Sequence, residues 1–539
     1  MKFTAIFLVL ALAAPGQEAP VFRSDTRLVE VQVVVTGRGG APVEGLTEGD
    51  FTVLENGKRQ KIAFFAAPPA RAAVAAPKET LPPGIFTNRP EYMASRPRGV
   101  TAIVLDVLNT GRGADQYFAR SALVRFLRGL KGDELVGVYV LGNGIRVIHD
   151  FSDDPASLMR MAQRVRNEWP AGGASQEETM RAEADLLAQV AGVVGLEDAL
   201  GGMDEFLGIQ IETRIRMTLQ QLEMIGEHLA GVPGRKTMVW LSAGMPMLTM
   251  RPSPMAGPDG HKLPYYESFA GRYARTAQRL GESNVAVYPV DARGLRIGND
   301  TPLYQPNLGR GGGGRGMWMR DWQAVPAQET FSSMQYLAEA TGGRALYNSN
   351  DLEGGLRRAA DDLKANYTVA YYTSLRDDAK KRDLQVKVNR RGVEVLARRR
   401  VPVGQREALV EVKDLLESPI AASGVLVNGR VTRREGELAV TLQIEPASLL
   451  LTRKGAYTEG LVEVYLAQIL PSGERRVADA RLELRLTETE VAKVVEQGLV
   501  YARTLPLIEG AERLRVVVRD ARSGAAGTFD APVRLMGVE

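Results

Sequence analysis

Three stretches of this 539-residue chain are apolar almost without a break: TAIVLDV from Thr101, KTMVWLSAG from Lys236 and NVAVYPVDARG from Asn284. A strand that is apolar at every position is buried on both faces, as in mostly parallel sheets covered on each side by helices. The intervening stretches carry helical spacing. DQYFARSALVRFLRGL places Phe118, Ala122, Phe126 and Leu130 at fours behind Asp115 as N-cap, and 204–230 sets Ile215, Leu219, Leu222, Ile225 and Leu229 on one stripe. ELVGVYVLG, RVIHDF and RALYN add further strands. Strand–helix alternation over 99–375 predicts an α/β region built on a doubly wound, mostly parallel sheet.

The flanks read differently. Residues 21–66 alternate, with Val29, Val31, Val33 and Val35 at period two and Asn56-Gly57 as a hairpin turn, which predicts a small N-terminal β unit. A Pro- and Ala-rich linker is expected over 67–98. Residues 376–402 return to period two with an Arg-Gly turn and predict an antiparallel β ribbon packed on the N-terminal unit. From 405 to 539, short alternating strands predict a C-terminal β-sandwich.

The opening MKFTAIFLVLALAAPG has Lys2, an apolar run and small residues, the pattern of a Sec-type signal peptide over 1–16, cut after Ala13 or near Gly16. The run is short of the ~20 residues a membrane span needs, and no later segment is apolar for long enough. Export to the periplasm or the extracellular space is therefore expected, with no transmembrane segment after signal removal. The chain has no cysteine, which removes disulfides, thiolate metal sites, thiol nucleophiles and the lipid-attachment residue of a lipoprotein. The 68 basic and 64 acidic residues nearly cancel, and the densest basic run is Arg398-Arg399-Arg400, so no nucleic-acid partner is expected.

In open sheets of this kind ligands sit outside the carboxyl ends of the strands, and Asp106 lies at such an end. Here the segment 99–375 resembles a von Willebrand factor type A domain. In that family the first strand ends in Asp-x-Ser-x-Ser, which with a Thr and an Asp from two other loops holds a divalent cation at a metal-ion-dependent adhesion site. Asp106 stands at the family's aspartate, Leu108 replaces the first serine and cannot ligate, and Thr110 keeps a hydroxyl at the second. AGGAS offers Ser175 for the loop threonine, and Ser242-Ala243-Gly244 stands where the family has Thr-Asp-Gly. Asp291 adds a carboxylate at the adjacent strand end. Mg²⁺ wants six oxygens in near-octahedral array. The resemblance therefore implies a degenerate site of Asp106, Thr110, Ser242 and Asp291, binding Mg²⁺ or another divalent cation weakly or not at all; no cofactor is certain. The other reading of Asp106 is a carboxylate that braces its own loop through backbone N–H groups. LVEVQVVVTGRGGAPVEGLTEGDFTVLENGKRQKI, VLDVLNT, GRKTMVWLSAGMP, VYPVDARGL, LAEATGGRAL and YTVAYYT, taken in order, resemble a bacterial exported, acidobacterial-type group of von Willebrand factor A-related proteins over about 21–400.

Enzymatic constellations are sparse. The three histidines, His149, His228 and His261, fall in different elements, and neither a dinucleotide Gly-x-Gly-x-x-Gly after the first strand nor a phosphate loop is present. The glycine-rich 308–322 stretch carries Trp318 and Trp322 beside arginines, residue types that anchor binding interfaces. The reading is an exported, non-enzymatic interaction or adhesion protein. It would meet a protein or cell-surface partner through strand-tip loops around Asp106, Asn109, Thr110, Ser242 and Asp291, with Trp318 and Trp322 as further contacts. Two alternatives stand beside it: a metal-dependent hydrolase using Asp106 and Asp291 as acid and base, and a passive scaffold whose ligand site has decayed.

Overall fold

The computed structural model describes residues 27–68, 81–82, 84–89, 99–110, 114–130, 135–152, 154–168, 197–232, 235–256, 262–295, 327–373, 383–399 and 411–538. Strands β1 (Arg27–Gly37), β2 (Phe51–Glu55), β3 (Lys58–Gln60), β4 (Ile62–Ala66) and β5 (Ile85–Thr87) come first. Next come β6 (Gly99–Asp106), α1 (Ala114–Arg128), β7 (Val136–Leu141), β8 (Ile145–Ser152), α2 (Pro155–Glu168), α3 (Glu197–Leu229) and β9 (Arg235–Ser242). The hairpin of β10 (Leu248–Ala256) and β11 (Lys262–Ser268) precedes α4 (Ala270–Glu282), β12 (Val285–Asp291), α5 (Ala327–Thr341) and α6 (Leu352–Asp361). Then follow β13 (Asn366–Thr373), β14 (Leu384–Val388), β15 (Val393–Leu396) and α7 (Val412–Glu417). The last elements are β16 (Val427–Arg434), β17 (Glu437–Ile444), β18 (Thr452–Lys454), β19 (Tyr457–Ile469), β20 (Arg475–Leu486), α8 (Glu488–Gln497), β21 (Leu499–Pro506), β22 (Arg513–Asp520), β23 (Ala526–Pro532) and β24 (Gly537–Val538).

The central sheet runs β12-β9-β6-β7-β8. The apolar runs form its parallel strands β6, β9 and β12, joined by β7. Strand β8 is antiparallel to β7, so the expected mostly parallel sheet is mixed. The reason is the connection Gly142–Gly144, far shorter than the dozen or so residues a parallel crossover needs. RALYN forms no full strand; Leu346 makes a single parallel bridge to Val290. Helices cover both faces. Ile103, Leu105, Phe126, Leu127, Tyr288 and Leu356 fill one side under α1 and α6, and Val104, Trp240, Leu222, Ile225, Tyr273 and Leu337 fill the other under α3, α4 and α5. The buried stripe of α1 is Ala119, Ala122, Leu123, Phe126 and Leu127, and Phe118 is 58% exposed. Its spacing of four to Ala122 is shared by Ala119 and Leu123, and the face with more apolar positions won.

The strands after the central sheet do not form the expected ribbon. β13 pairs with β1 and β4, with Val31 opposite Val369; β15 pairs with β1, and β14 with β2. Strands from both flanks of the α/β region thus close one small core of Val31, Val33, Phe51, Val53, Tyr367, Val369 and Leu384. β13, expected at the end of the α/β region, belongs to this core instead.

The C-terminal strands make two sheets, β21-β17-β16-β24 and β18-β19-β22-β23, with β20 on β19. They share a core of Val431, Val440, Leu442, Val464, Leu466, Val516 and Phe529. Strand β5, inside the stretch expected to be a linker, pairs with β16 and lays Phe86 over Phe529 with ring centroids 6.4 Å apart. Beside it Asn88 is buried, donates to the Ala422 and Val425 carbonyls at 2.7 Å each and accepts from the Val427 N–H at 2.9 Å.

The end of α3 is tied down twice. Ser423 Oγ donates to the His228 carbonyl at 2.5 Å, and Lys236 Nζ donates to the Val232 carbonyl at 2.7 Å in the turn just past the helix, placing a cation near its C-terminal end. Burial holds the Lys236 ammonium down at about 8, opposed by Glu30. Between that value and the unfolded lysine range near ~10.4 the unfolded chain binds a proton that the folded chain lacks, so stability rises with pH in this window. The wild-type chain should gain on the order of 2 kcal/mol between pH 8 and 10 relative to Lys236→Met, read by denaturant melts of both at each pH. Parallel curves would remove this role.

Candidate functional site

Asp106, Ser242 and Asp291 end three neighbouring parallel strands, with Leu105 in register with Leu241 and Ser242 in register with Asp291. Sheet geometry alone brings them to one edge. Asp106 is 1% exposed. Its Oδ1 accepts from the Leu108 N–H at 3.1 Å and the Asn109 N–H at 3.0 Å. Its Oδ2 accepts from Asn109 Nδ2 at 2.8 Å, Ser242 Oγ at 2.8 Å and Trp240 Nε1 at 3.1 Å. Burial pushes the Asp106 carboxyl up from its ordinary range, while the Asn109, Ser242 and Trp240 hydrogen bonds pull it down. A carboxylate offers about four lone-pair sites, and these five donors occupy them. Asn109 Nδ2 also donates to Thr218 Oγ1 at 2.8 Å, which ties the tip of β6 to the flank of α3. Ser242 Oγ accepts from the Gly244 N–H at 2.9 Å, so one hydroxyl braces two loops.

Thr110 is buried and its hydroxyl has no hydrogen-bond partner among the described residues; its carbonyl accepts from Gln116 Nε2 at 3.0 Å. Asp291 is 1% exposed and spends both oxygens on Arg293: Oδ1 accepts from the N–H at 3.0 Å and from Nε at 2.8 Å, and Oδ2 from Nη2 at 3.0 Å. The same guanidinium lies 5.4 Å from the Phe331 ring centre, and Phe331 stacks on Tyr347 at 4.8 Å. Asp106 and Asp291 stand two strand spacings apart, about 10 Å. The edge brings Ser242 Oγ onto Asp106 Oδ2, while both Asp291 oxygens turn to Arg293. Among the described residues no group of three or more His, Asp or Glu is placed to hold a metal ion.

His149 sits on β8 opposite Val138, and His228 is buried with its ring against Tyr139 and Phe151. Trp318, Trp322, Ser175, His261 and the signal segment 1–16 lie outside the described residues. Sequence reading missed Trp240 and Thr218. Both left a signal: an indole N–H inside an apolar run needs an acceptor, and a threonine beside the apolar stripe of α3 needs a partner. In the first turn of α1, just past the Asp106 loop, Tyr117 and Phe118 are 57% and 58% exposed and touch edge to face.

No protein-family profile matches the chain, and no curated protein matches it. Solved structures with similarity include an aerotolerance-related membrane protein from Bacteroides fragilis, 12% identical over 49% of this chain and 98% of that one at a TM-score of 0.26. A von Willebrand factor type A protein from Catenulispora acidiphila is 11% identical over 95% of this chain and 74% of that one, TM-score 0.24. The type V pili tip protein of Porphyromonas gingivalis, as three N-terminal domains, is 8% identical over 94% and 77%, TM-score 0.25. Overlap at this level decides neither fold nor function. Among the described residues no helix is long and apolar enough to cross a membrane.

Proposed function

We propose that this chain is an exported, non-enzymatic interaction protein of the von Willebrand factor A-like kind that engages a protein or cell-surface partner at the strand-tip edge without a metal ion. The observation that carries the reading is the five-donor ring on Asp106. A carboxylate saturated by its own loop and strand neighbours shapes that loop and has no capacity left for a cation or for proton transfer. The bidentate Asp291–Arg293 pair supports the same conclusion for the second carboxylate, which weighs against the acid–base alternative. Exposed Tyr117 and Phe118, on the helix that follows the Asp106 loop, supply aromatic anchor surface, and Trp318 and Trp322 extend the proposed contact.

Titration of the mature chain with Mg²⁺ or Mn²⁺ should give no sub-micromolar binding, and capture of envelope partners should be unchanged by chelator. Tyr117→Ser/Phe118→Ser should reduce capture at least about tenfold at unchanged thermal midpoint, since both rings are exposed. Tight Mg²⁺ binding that Asp106→Asn abolishes would reinstate the metal site. Capture that survives the double variant and maps to 411–538 would favour the scaffold reading.

A further inference from the structure

We infer that β20 is a self-recognition strand through which two copies of this chain pair antiparallel, extending the β19 sheet across a two-fold axis at Leu482. β20 is paired along one side to β19 over its whole length, and among the described residues no other strand pairs with its opposite side. On that opposite side Arg503 Nη1 of β21 donates to the Asp479 carbonyl at 2.6 Å, an oxygen whose second lone pair stays open to a partner strand's N–H. One face carries Ala478, Leu482 and Leu484, partly buried against the sandwich core, and the other face carries Val477, Asp479, Arg481, Glu483 and Arg485. Val477 is 46% exposed.

The order of charges singles out a second copy as the occupant. With Leu482 facing Leu482 of the partner subunit, Arg481 faces Glu483 of the partner subunit and Asp479 faces Arg485 of the partner subunit. By symmetry each opposite-sign pair occurs twice. On the other face Ala480 meets Leu484 of the partner subunit and Ala478 meets Leu486 of the partner subunit, small against large. Sliding the pairing by two residues one way sets Arg481 against Arg481 and Asp479 against Glu483. The other way sets Glu483 against Glu483 and Arg481 against Arg485. Opposite charges directly across an antiparallel pair stabilise and like charges destabilise, so one register is favoured and its neighbours are penalised. The row continues inward, because Arg481 lies opposite Glu463 of β19 and Glu463 pairs with Arg519 of β22 at 3.3 Å. Charges that only guarded an edge would need no such order.

The chain has no cysteine, which makes a clean test. Directly opposed residues of antiparallel strands have Cα atoms about 4.5–5.5 Å apart, within disulfide reach. Full-length Leu482→Cys should therefore cross-link to its own copy under mild oxidation. In the same register the two Val477 positions lie ten residues apart along the strands, about 33 Å, so Val477→Cys should not cross-link. In sedimentation equilibrium the wild-type chain should dimerise. Arg481→Glu should weaken the dimer at least about tenfold, and Arg481→Glu/Glu483→Arg should restore it, with thermal melts showing all three folded. A wild-type monomer at the highest soluble concentration overturns the proposal. So do equal cross-linking at the two cysteine positions and a dimer indifferent to Arg481→Glu.

Discussion

Asp106→Ala should destabilise the chain by about 3–5 kcal/mol, the largest loss expected from any single side chain at the strand-tip edge. Truncation removes one acceptor group and strands five donors in a site that is 1% exposed: two backbone N–H groups, the Asn109 amide, the Ser242 hydroxyl and the Trp240 indole. The hydroxyl can rotate toward another acceptor, but the backbone donors are fixed in the turn after β6 and the indole is fixed on β9. Asp106→Asn should fall between wild type and Ala, because it keeps one acceptor oxygen and turns an amide into the remaining donors. Denaturant melts of the three forms, each with and without chelator, give the measurement. A cost for Ala below about 1 kcal/mol, or a wild-type midpoint that drops on chelation, would mean that the ring is not what holds this loop.

Gly527→Ala should be nearly as costly, about 3 kcal/mol or more, through crowding of backbone where the chain cannot yield. A Cβ at Gly527 would lie 1.9 Å from the Val425 carbonyl oxygen and 2.8 Å from Asn88 Nδ2. To admit it, β23 must move off the 422–425 segment and loosen the hydrogen bonds from Val425 N–H to the Ala526 carbonyl and from Thr528 N–H to the Ala422 carbonyl, both 2.9 Å. The Asn88 clasp rests on the Ala422 carbonyl and on the Val425 carbonyl that the Cβ would strike, so the seat of β5 goes with them. Gly281→Ala is the control: a Cβ there meets nothing within 4 Å, and its midpoint should hold or rise. If both variants melt like wild type, the close approach at Gly527 is absent in solution.

What could be read from the sequence was whatever a segment states about itself. The unbroken apolar runs at Thr101, Lys236 and Asn284 declare two-sided burial, and they form the adjacent strands β6, β9 and β12 that carry Asp106, Ser242 and Asp291. Partnership is another matter. The composition of Ile85-Phe86-Thr87 gives no hint that its acceptor is Gly429, and the alternation of 384–396 fits a ribbon as well as insertion between β1 and β2. The sign of β8 was settled by the length of a turn, not by RVIHDF itself. At the site, the aspartate was visible as a charge ending an apolar strand, but its donors come from β9 and from the next loop, whose Asn109 is held in turn by Thr218 of α3. Carboxylates declare themselves locally, and their hydrogen-bond partners do not.

The seat of β5 carries a consequence for how the molecule is made. Thr87 donates to Asn428, 341 residues further along, so this strand waits for its acceptor until those residues have been made. The N-terminal sheet waits almost as long, with Tyr367 donating to the Val43 carbonyl across 324 residues. Such late-closing seams raise contact order and slow folding, leaving strand edges bare in the interim. Until Asn428 emerges, Ile85–Thr87 is free to pair with the wrong molecule.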